Sequence, residues 1–299
     1  MARDGRDGRG DARADATDRA PDPLGRQDGR QPRVPIHRLT LRPGQERQPI
    51  EHRRHTYHLR DSDVRTLATI GAFRVVRGDD LQPMRSSRDA WTGGLRHLRE
   101  QGLVVAKTVT INQEPTAVIV LTRDGKSLLD AHQERAENGR RQEFHAGLVK
   151  PRELAHDAQL YRLFQAEAAR IEADGGHIER IVLDYELKRD YQTFLNRPDK
   201  PEASDAEADV EIFAASRDLP IVDGHLELPD LRIEYEGPDG TMHHRDVELV
   251  TEHYSRSQLA GKAQAGFTLY RAAGARFGRG ASARAGGTPF DPHHLERLA

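Results

Sequence analysis

The 299-residue sequence contains no cysteine, and this absence removes several classes of protein at once. Without a thiol, the chain cannot form a structural disulfide, a cysteine zinc finger or a cysteine nucleophile. No run approaches the ~20 apolar residues that a membrane-spanning helix needs. The amino-terminal stretch also lacks the apolar region of a secretory signal. These absences predict a soluble, cytoplasmic protein with no membrane partner.

The chain also has little net charge. Its formal charge is -2, although charged residues make up 31% of the sequence and hydrophobic residues 36%. A chain of this length accommodates about two domains. Because the whole molecule is not a polycation, any nucleic-acid binding must come from a local basic surface.

The first part of the chain is rich in Gly, Asp, Arg and Pro and has almost no apolar periodicity. Such a segment cannot bury enough surface to offset the entropy of ordering it. Its arginines predict either a solvated leader or a basic arm that touches phosphates. The interleaved aspartates favour the solvated leader.

Helical and strand patterns begin at Asp61. Apolar residues recur at helical spacing from Val64 to Phe73, with Asp61 or Ser62 as the expected N-cap. A short helical segment, "GDDLQPM", and a second helix ending at Gly102 follow. Two Val- and Thr-rich runs joined by "NQEP" then predict a hairpin, and "TRDGKSLLDAHQERA" predicts a helix. This order is that of a winged helix-turn-helix.

A winged helix presents one helix to the major groove of DNA. Five basic residues are expected to reach phosphates or guanine edges, the last of them from the wing: Arg85, Arg88, Arg96, Arg99 and Lys107. The alternative is a protein-interaction adaptor, because winged helices also bind proteins and arginines often only solvate a helix face.

The second half predicts a mixed α/β unit. A long amphipathic helix from Pro151 ends at Gly175-Gly176, and the strand-like "HIERIVL" follows. "LRIEYEGPDGTMHHRDVELV" predicts a hairpin around "GPDG". A helix carrying Lys262 and Tyr270 is expected next. This arrangement is compatible with the core of PD-(D/E)XK nucleases.

Phosphodiester hydrolysis at such a core uses a metal ion that binds the phosphate and lowers the pKa of the attacking water. Mg²⁺ prefers oxygen ligands, and Asp230 and Glu248 have the order and spacing of two carboxylates on adjacent strands. Val250 stands where such a nuclease places a lysine. Lys262 is the candidate replacement, and Glu167 or Glu186 is the candidate third carboxylate.

The chain resembles the bacterial replication-relaxation family of mobile elements over roughly residues 60–272. The resemblance rests on short motifs: "LTRDGKSLL", "LAHDAQLYRLF", "DYELKRD", "LPDLRIEY" and "VELVTEHYSRSQLAGKAQAGFTLY". The family pattern would fall on six positions: His156, Glu186, Asp230, Glu248, Lys262 and Tyr270. The family often has a further acid where this chain has Val250. The resemblance implies a winged helix fused to a restriction-endonuclease-like domain with a DNA-linked role.

The predicted fold class is therefore α+β or α/β with disordered tails. The predicted segments are a leader at 1–58, a winged helix-turn-helix at 59–138, a linker at 139–150, a nuclease-like domain at 151–273 with a mobile loop at 196–209, and a low-complexity tail at 274–299. The expected partner is double-stranded DNA, and a homodimer is compatible with this reading. The leading hypothesis is a DNA-binding protein whose nuclease-like site is weak or lost. The alternative is a Mg²⁺-dependent nuclease or nickase that uses Asp230, Glu248, Lys262 and Glu186.

Overall fold

The computed structural model has an α+β fold and describes residues 34–35, 38–81, 88–134, 140–198 and 205–272. Within these ranges the side chains of residues 88–93 are not described. The predicted tail at 274–299 and most of the predicted leader lie outside the described residues. Among the described helices, none is both long enough and apolar enough to cross a bilayer.

The first unit consists of helices around a small antiparallel sheet. In chain order its elements are β1 (Gln48–His52), β2 (His55–Leu59), α1 (Asp61–Ala72), β3 (Val76–Arg77), a 3₁₀ turn (Gly78–Leu81), α2 (Arg88–Glu100), β4 (Val104–Ile111), β5 (Glu114–Leu121) and α3 (Arg123–Ala131). From β3 onward the strands form one sheet in the order β3-β5-β4, and β1 pairs only with β2. The helix, short helix, helix, hairpin and helix predicted from Asp61 onward are therefore all present.

Local sequence features explain which face of α1 is buried and where the helices begin and end. Val64, Leu67 and Ile70 are fully buried, as their helical spacing predicts. The N-cap of α1 is Arg60, whose main-chain N–H donates to the Asp63 carboxylate at 3.3 Å, so the expectation of an Asp61 or Ser62 cap was wrong. Gly102 ends the α2 region with a φ of 73°.

The predicted disordered leader at 1–58 extends too far. Residues 48–59 form the β1–β2 hairpin, and Leu39 and Leu41 are buried in the hydrophobic core. Arg38 Nε donates to a Glu179 carboxylate oxygen at 2.8 Å and so attaches this segment to the second unit. Tertiary contacts therefore order a stretch whose own composition predicts disorder.

The second unit is built on a four-stranded sheet. In chain order its elements are α4 (Pro151–Ala173), β6 (His177–Leu183), α5 (Asp184–Leu195), α6 (Ala206–Arg217), β7 (Ile221–Val222), β8 (His225–Leu226), β9 (Leu231–Glu236), β10 (Met242–Val250), α7 (Arg256–Gln264) and β11 (Thr268–Arg271). The main sheet has the order β11-β10-β9-β6. Strand β9 is antiparallel to both of its neighbours, whereas β10 and β11 run parallel.

Three local expectations in this unit were wrong. "DYELKRDY" forms α5 and does not continue as polar residues after a strand, and α6 begins at Ala206, inside the predicted mobile loop 196–209. Residues 199–204 of that loop lie outside the described residues. The helix that carries Lys262 ends at Gln264, so Tyr270 lies on β11. Gly266, with a φ of 81°, separates the helix from the Thr-Leu-Tyr strand residues.

The two units share one hydrophobic core. Phe73, which follows α1, packs against Tyr161 and Phe164 of α4 with ring centroids 5.2 and 5.3 Å apart. The predicted linker at 139–150 takes part in this packing, because Phe144 is buried at 1% exposure. The Gln142 side chain also bonds both main-chain polar groups of Ile181, at 2.9 and 3.0 Å. Residues 140–150 are therefore an ordered part of the fold.

Candidate functional site

Asp230 and Glu248 lie side by side at one end of the main sheet. Asp230 immediately precedes β9, and Glu248 lies on β10. The Asp230 main-chain N–H donates to Glu248 Oε2 at 3.1 Å, and the Leu249 N–H donates to Asp230 Oδ2 at 2.8 Å. Both residues are buried, at 9% and 2% exposure. These reciprocal bonds hold the two carboxylates in one site.

Lys262 supplies the ammonium group of this site from α7. Its Nζ lies 3.2 Å from Glu248 Oε1 and 3.1 Å from Glu227 Oε2, and it donates to the Leu228 carbonyl at 2.7 Å. Val250 packs with Leu259, Phe267 and Leu269 in an apolar cluster. The cation that Val250 cannot provide therefore reaches Glu248 from the following helix.

The environment of Glu248 raises its pKa to about 7. Burial is the main cause, and the charge of Asp230 adds to it. Lys262 and Tyr254 act in the opposite direction, and the Tyr254 hydroxyl donates to Glu248 Oε1 at 2.6 Å. Burial beside these carboxylates also raises the pKa of Tyr254. The charge of Glu248 is therefore sensitive to pH near neutrality.

His156, near the start of α4, also contacts the Asp230 carboxylate. Its Nε2 lies 3.1 Å from Asp230 Oδ2, and its Nδ1 lies 3.1 Å from Asp157 Oδ1. Burial alone would lower the pKa of His156, but the hydrogen bonds to Asp157 and Asp230 outweigh it and raise the pKa to about 10. The imidazolium therefore donates from both nitrogens. Arg74, from the first unit, pairs with Asp157 at 3.2 Å.

A cleft of mixed charge opens beside this cluster. The Asp184 main-chain N–H donates to the Asp230 carbonyl at 3.1 Å, and Lys188 pairs with the Asp184 carboxylate at 2.6 Å. The residues around the cleft are mostly charged: Arg74, Lys150, Arg152, Glu153, His156, Asp157, Asp184, Tyr185 and Lys188. The cleft gives a charged ligand an approach to His156 and, behind it, to Asp230.

Several members of this site were missed by sequence reasoning. They are Arg74, Asp184, Lys188, Glu227 and Tyr254. The spacing of Asp184 and Lys188, four residues apart on one helix, was the available signal. Arg74 and Glu227 lie outside the quoted motifs, and Tyr254 lies within the motif around Glu248 but was not singled out there. Only the tertiary fold therefore shows that these three residues belong to the site.

Glu186 does not join Asp230 and Glu248, so its expected role as a third carboxylate was wrong. Its Oε2 accepts from Arg180 at 3.1 Å, and its Oε1 accepts from the Leu183 N–H at 3.3 Å. Burial raises the pKa of Glu186 to about 8. The nearby His145, whose pKa burial lowers to about 4, belongs to this separate cluster. Glu186 caps the first turn of α5, which turns its side chain back onto β6.

Glu167 and Tyr270 also form a separate cluster. The Tyr270 hydroxyl donates to the Glu167 carboxylate, which is fully buried. Arg170 donates to Glu167 Oε1 at 2.6 Å and to the Tyr270 oxygen at 2.9 Å, and Arg245 donates to Glu167 Oε2 at 2.8 Å. The candidate role of Glu167 as a third carboxylate beside Asp230 was therefore wrong, and the family-pattern position Tyr270 lies with Glu167. Strand alternation explains this, because Tyr270 pairs in register with Leu249 and not with Glu248.

The residues expected to contact DNA are only partly described. Arg85 and the side chain of Arg88 lie outside the described residues. Arg96 is exposed and pairs with Glu100 at 2.8 Å. Arg99 and Lys107 are exposed, and neither forms an ion pair with a described residue. Of the predicted contacts whose side chains are described, Arg99 and Lys107 are therefore the two whose charge no ion pair with a described residue compensates.

The expected metal site has an incomplete ligand set. Asp230 and Glu248 offer oxygen ligands of the kind that Mg²⁺ prefers. Among the described residues, however, no group of three or more His, Asp or Glu side chains is arranged to hold a metal ion. His156, the Leu249 N–H, Lys262 and Tyr254 already occupy carboxylate oxygens of the pair. The arrangement thus differs from an open metal-ligand set.

Comparison of the chain with protein-family models, curated proteins and solved structures gives no match.

Proposed function

We propose that this protein binds double-stranded DNA through its first unit and carries a nuclease-like second unit with weak or no cleavage activity. This is the role expected of a DNA-linked protein of a bacterial mobile element. The observation that carries the proposal is the meeting of Asp230, Glu248 and Lys262 at one end of a sheet, in a chain whose first unit has the element order predicted for a winged helix-turn-helix. Helix α4, strand β6, the β9–β10 hairpin and helix α7 lead to that site in chain order, with α5, α6 and the short β7–β8 hairpin between β6 and β9.

The outward charge of the first unit supports DNA as the partner. Arg99 lies on the exposed side of α2, and Lys107 lies on the exposed side of β4. Phosphate contacts of this kind make binding weaken as salt concentration rises. Arg96 should contribute less, because part of its charge is compensated by Glu100.

Duplex DNA binding should be measured across a salt series for the full chain and for Arg99→Ala combined with Lys107→Ala. We expect this pair of substitutions to weaken binding and to reduce the salt slope by about 2, one for each lost phosphate contact. Arg256→Ala is the matched control, because it removes an exposed arginine from α7 in the second unit. A wild-type protein that fails to bind duplex DNA at low salt would overturn the proposal.

We propose weak or no cleavage because neighbouring cations compensate the charges of the two carboxylates. His156 and Lys262 place two positive charges against Asp230 and Glu248. A divalent ion would have to compete with both. Binding of a divalent ion at this site should therefore be weak.

A second candidate function is a Mg²⁺-dependent nuclease or nickase, and the position of Lys262 favours it. An ammonium group beside a carboxylate can stabilise charge that develops on a phosphate. Supercoiled plasmid should be incubated with Mg²⁺ or Mn²⁺ and the wild type, Asp230→Ala or Glu248→Ala. Nicking by the wild type that both substitutions abolish would establish this candidate. Equal nicking by all three proteins would reject it.

A further inference from the structure

A basic groove lies between the β1–β2 turn, which was predicted to belong to a disordered leader, and the first turns of α3. Its polar lining is His52, Arg53, Arg123, Lys126, Ser127 and Asp130. Three of these side chains carry a permanent positive charge, and one carries a negative charge. The groove is separate from the Asp230 cleft, since the two share no lining residue.

Arg53 and Arg123 are the free charges of this groove. Both side chains are exposed, and neither forms a hydrogen bond or an ion pair with a described residue. Lys126, by contrast, pairs with Asp130 at 2.8 Å, so these two charges largely cancel. The positive charge available to a ligand therefore comes from the two guanidinium groups.

The backbone at Arg53 is unusual for an arginine. Only two residues join β1 to β2, and Arg53 adopts a φ of 55°, in the left-handed region. Glycine and asparagine are favoured in such turns because they adopt this conformation at little cost. Strained residues of this kind are often found at functional sites. A functional use of the Arg53 charge would account for arginine at this position.

The walls of the groove are fixed to each other. His52 Nε2 and Ser127 Oγ lie 2.9 Å apart, which joins β1 to α3. Thr122 caps α3 by accepting from the Gly125 N–H at 3.1 Å. A Cβ at Gly125 would lie only 2.2 Å from the Leu103 carbonyl oxygen, so α3 packs directly on the chain that follows α2. The groove is therefore a preformed feature of the first unit.

The hairpin is also attached to α2. His97, in the last turn of α2, hydrogen-bonds through Nε2 to the His58 carbonyl at 2.6 Å. The His58 N–H donates to Gln101 Oε1 at 3.1 Å. Hydrogen bonds thus join the hairpin that forms one wall of the groove to the helix that carries Arg99.

We infer that this groove binds a phosphate group through Arg53 and Arg123. Guanidinium groups match the geometry of phosphate oxygens and bind them with paired hydrogen bonds. The source of the phosphate is the phosphodiester backbone of duplex DNA, and this assignment rests on the proposed function. Phosphate binding by the groove itself rests only on its geometry and charge.

Binding of inorganic phosphate should be measured by calorimetry for the wild type, Arg53→Ala/Arg123→Ala and Arg54→Ala. Arg54 is the matched control, because it is an exposed arginine in the same turn that does not line the groove. We expect the double substitution to weaken phosphate binding by about tenfold or more, while Arg54→Ala leaves it nearly unchanged. Equal losses in the two variants, or no phosphate binding by the wild type, would overturn the inference.

The same variants should then be tested with duplex DNA across a salt series. We expect the double substitution to reduce the salt slope by about 2, in addition to the loss caused by Arg99→Ala and Lys107→Ala. Phosphate binding without DNA binding would overturn the DNA assignment and the proposed function, and would leave a site for free phosphate. An unchanged salt slope in a protein that binds DNA would overturn the groove's DNA contact alone.

Discussion

Two clusters of buried carboxylates lie along α4, and their net charges have opposite signs. Near the start of the helix, His156 contacts Asp230, which in turn bonds Glu248. About three turns later, Glu167 contacts Tyr270 and two arginines. We call these the Asp230 cluster and the Glu167 cluster.

The Glu167 cluster has an excess of positive charge. One carboxylate, fully buried, accepts hydrogen bonds from Arg170, Arg245 and Tyr270. Both carboxylate oxygens have a donor, and the group needs nothing further from solvent or a ligand. Its evident role is to tie α4 to β10 and β11.

The Asp230 cluster has an excess of negative charge. Asp230, Glu248, Glu227 and Asp157 face three cations, His156, Lys262 and Arg74. It borders a charged cleft, and the pKa of Glu248 is raised to about 7. Both clusters are buried, so burial does not distinguish them, whereas a net negative charge beside a cleft is found in the Asp230 cluster and not in the Glu167 cluster.

The largest expected effect is that of Glu167→Ala. The substitution leaves Arg170 and Arg245 without their shared partner and opens a cavity next to Tyr270. Breaking a buried pair typically costs about 3–5 kcal/mol, and we expect a value of about 3 kcal/mol because both arginines can reach solvent. Urea unfolding measures this loss. Glu172→Ala, an exposed position on the same helix, is the control and should change the free energy of unfolding very little. Similar losses at both positions would contradict the structural role of Glu167.

A smaller, pH-dependent loss is expected for His156→Gln. The pKa of His156 is about 10 in the folded protein, above its ordinary value of 6.5. Its contribution to stability is therefore complete below about pH 6.5 and is lost as pH rises through 10. We expect the substitution to cost on the order of 2 kcal/mol at pH 6 and progressively less towards pH 10. Urea unfolding at several pH values tests this, and a cost that does not vary with pH would contradict it.

Glu248→Gln should also become more stable relative to the wild type as pH rises, but over a lower pH range than His156→Gln. The pKa of Glu248 is raised from 4.5 to about 7, so its contribution to stability is complete below about pH 4.5 and is lost as pH rises through 7. The variant is neutral throughout and avoids this loss. We expect its stability relative to the wild type to rise by about 1–2 kcal/mol between pH 5 and pH 8. Glu236→Gln, an exposed position on β9, is the control and should show no such rise.

The parts of the fold that could be predicted from the sequence are those that depend on local pattern. The spacing of Val64, Leu67 and Ile70 was sufficient for α1, because one face of a helix must be buried. The turn "GPDG" was sufficient for the β9–β10 hairpin. Asp230 and Glu248 were found in the same way, since a residue before one strand and a residue near the end of its hairpin partner come to the same end of a sheet.

The remainder depends on contacts between distant segments. Strand pairing separates Tyr270 from Glu248, although both are positions of the same family pattern. The β1–β2 hairpin is ordered by packing and by bonds such as His52 to Ser127, which lie 75 positions apart in the sequence. Tyr254 was not singled out within its motif and Glu227 lies outside the motifs, so only the folded chain shows that they contact Glu248 and Lys262. Sequence patterns thus located the carboxylates but not the groups that control their charge.

The smallest effects distinguish the two clusters most directly, because each contains one tyrosine whose hydroxyl donates to a carboxylate. Tyr270→Phe removes the donor to Glu167, and Arg170 and Arg245 remain bonded to it. We expect a cost of about 1 kcal/mol, the usual value of one hydrogen bond, measured by urea unfolding. The titration of Glu248 should be unchanged, because Tyr270 belongs to the other cluster.

Tyr254→Phe deletes the same atom from the Asp230 cluster and should have a different consequence. The Tyr254 hydroxyl bonds Glu248 Oε1 and lowers the pKa of that carboxyl, so its loss should raise the pKa of Glu248 further above 7. Carbon-13 NMR of the glutamate carboxyl signals measures this shift, and Tyr270→Phe is the matched control. A shift of equal size in both variants would mean that the two clusters are electrostatically linked. A shift in Tyr254→Phe alone would mean that the two carboxylate clusters on α4 titrate separately.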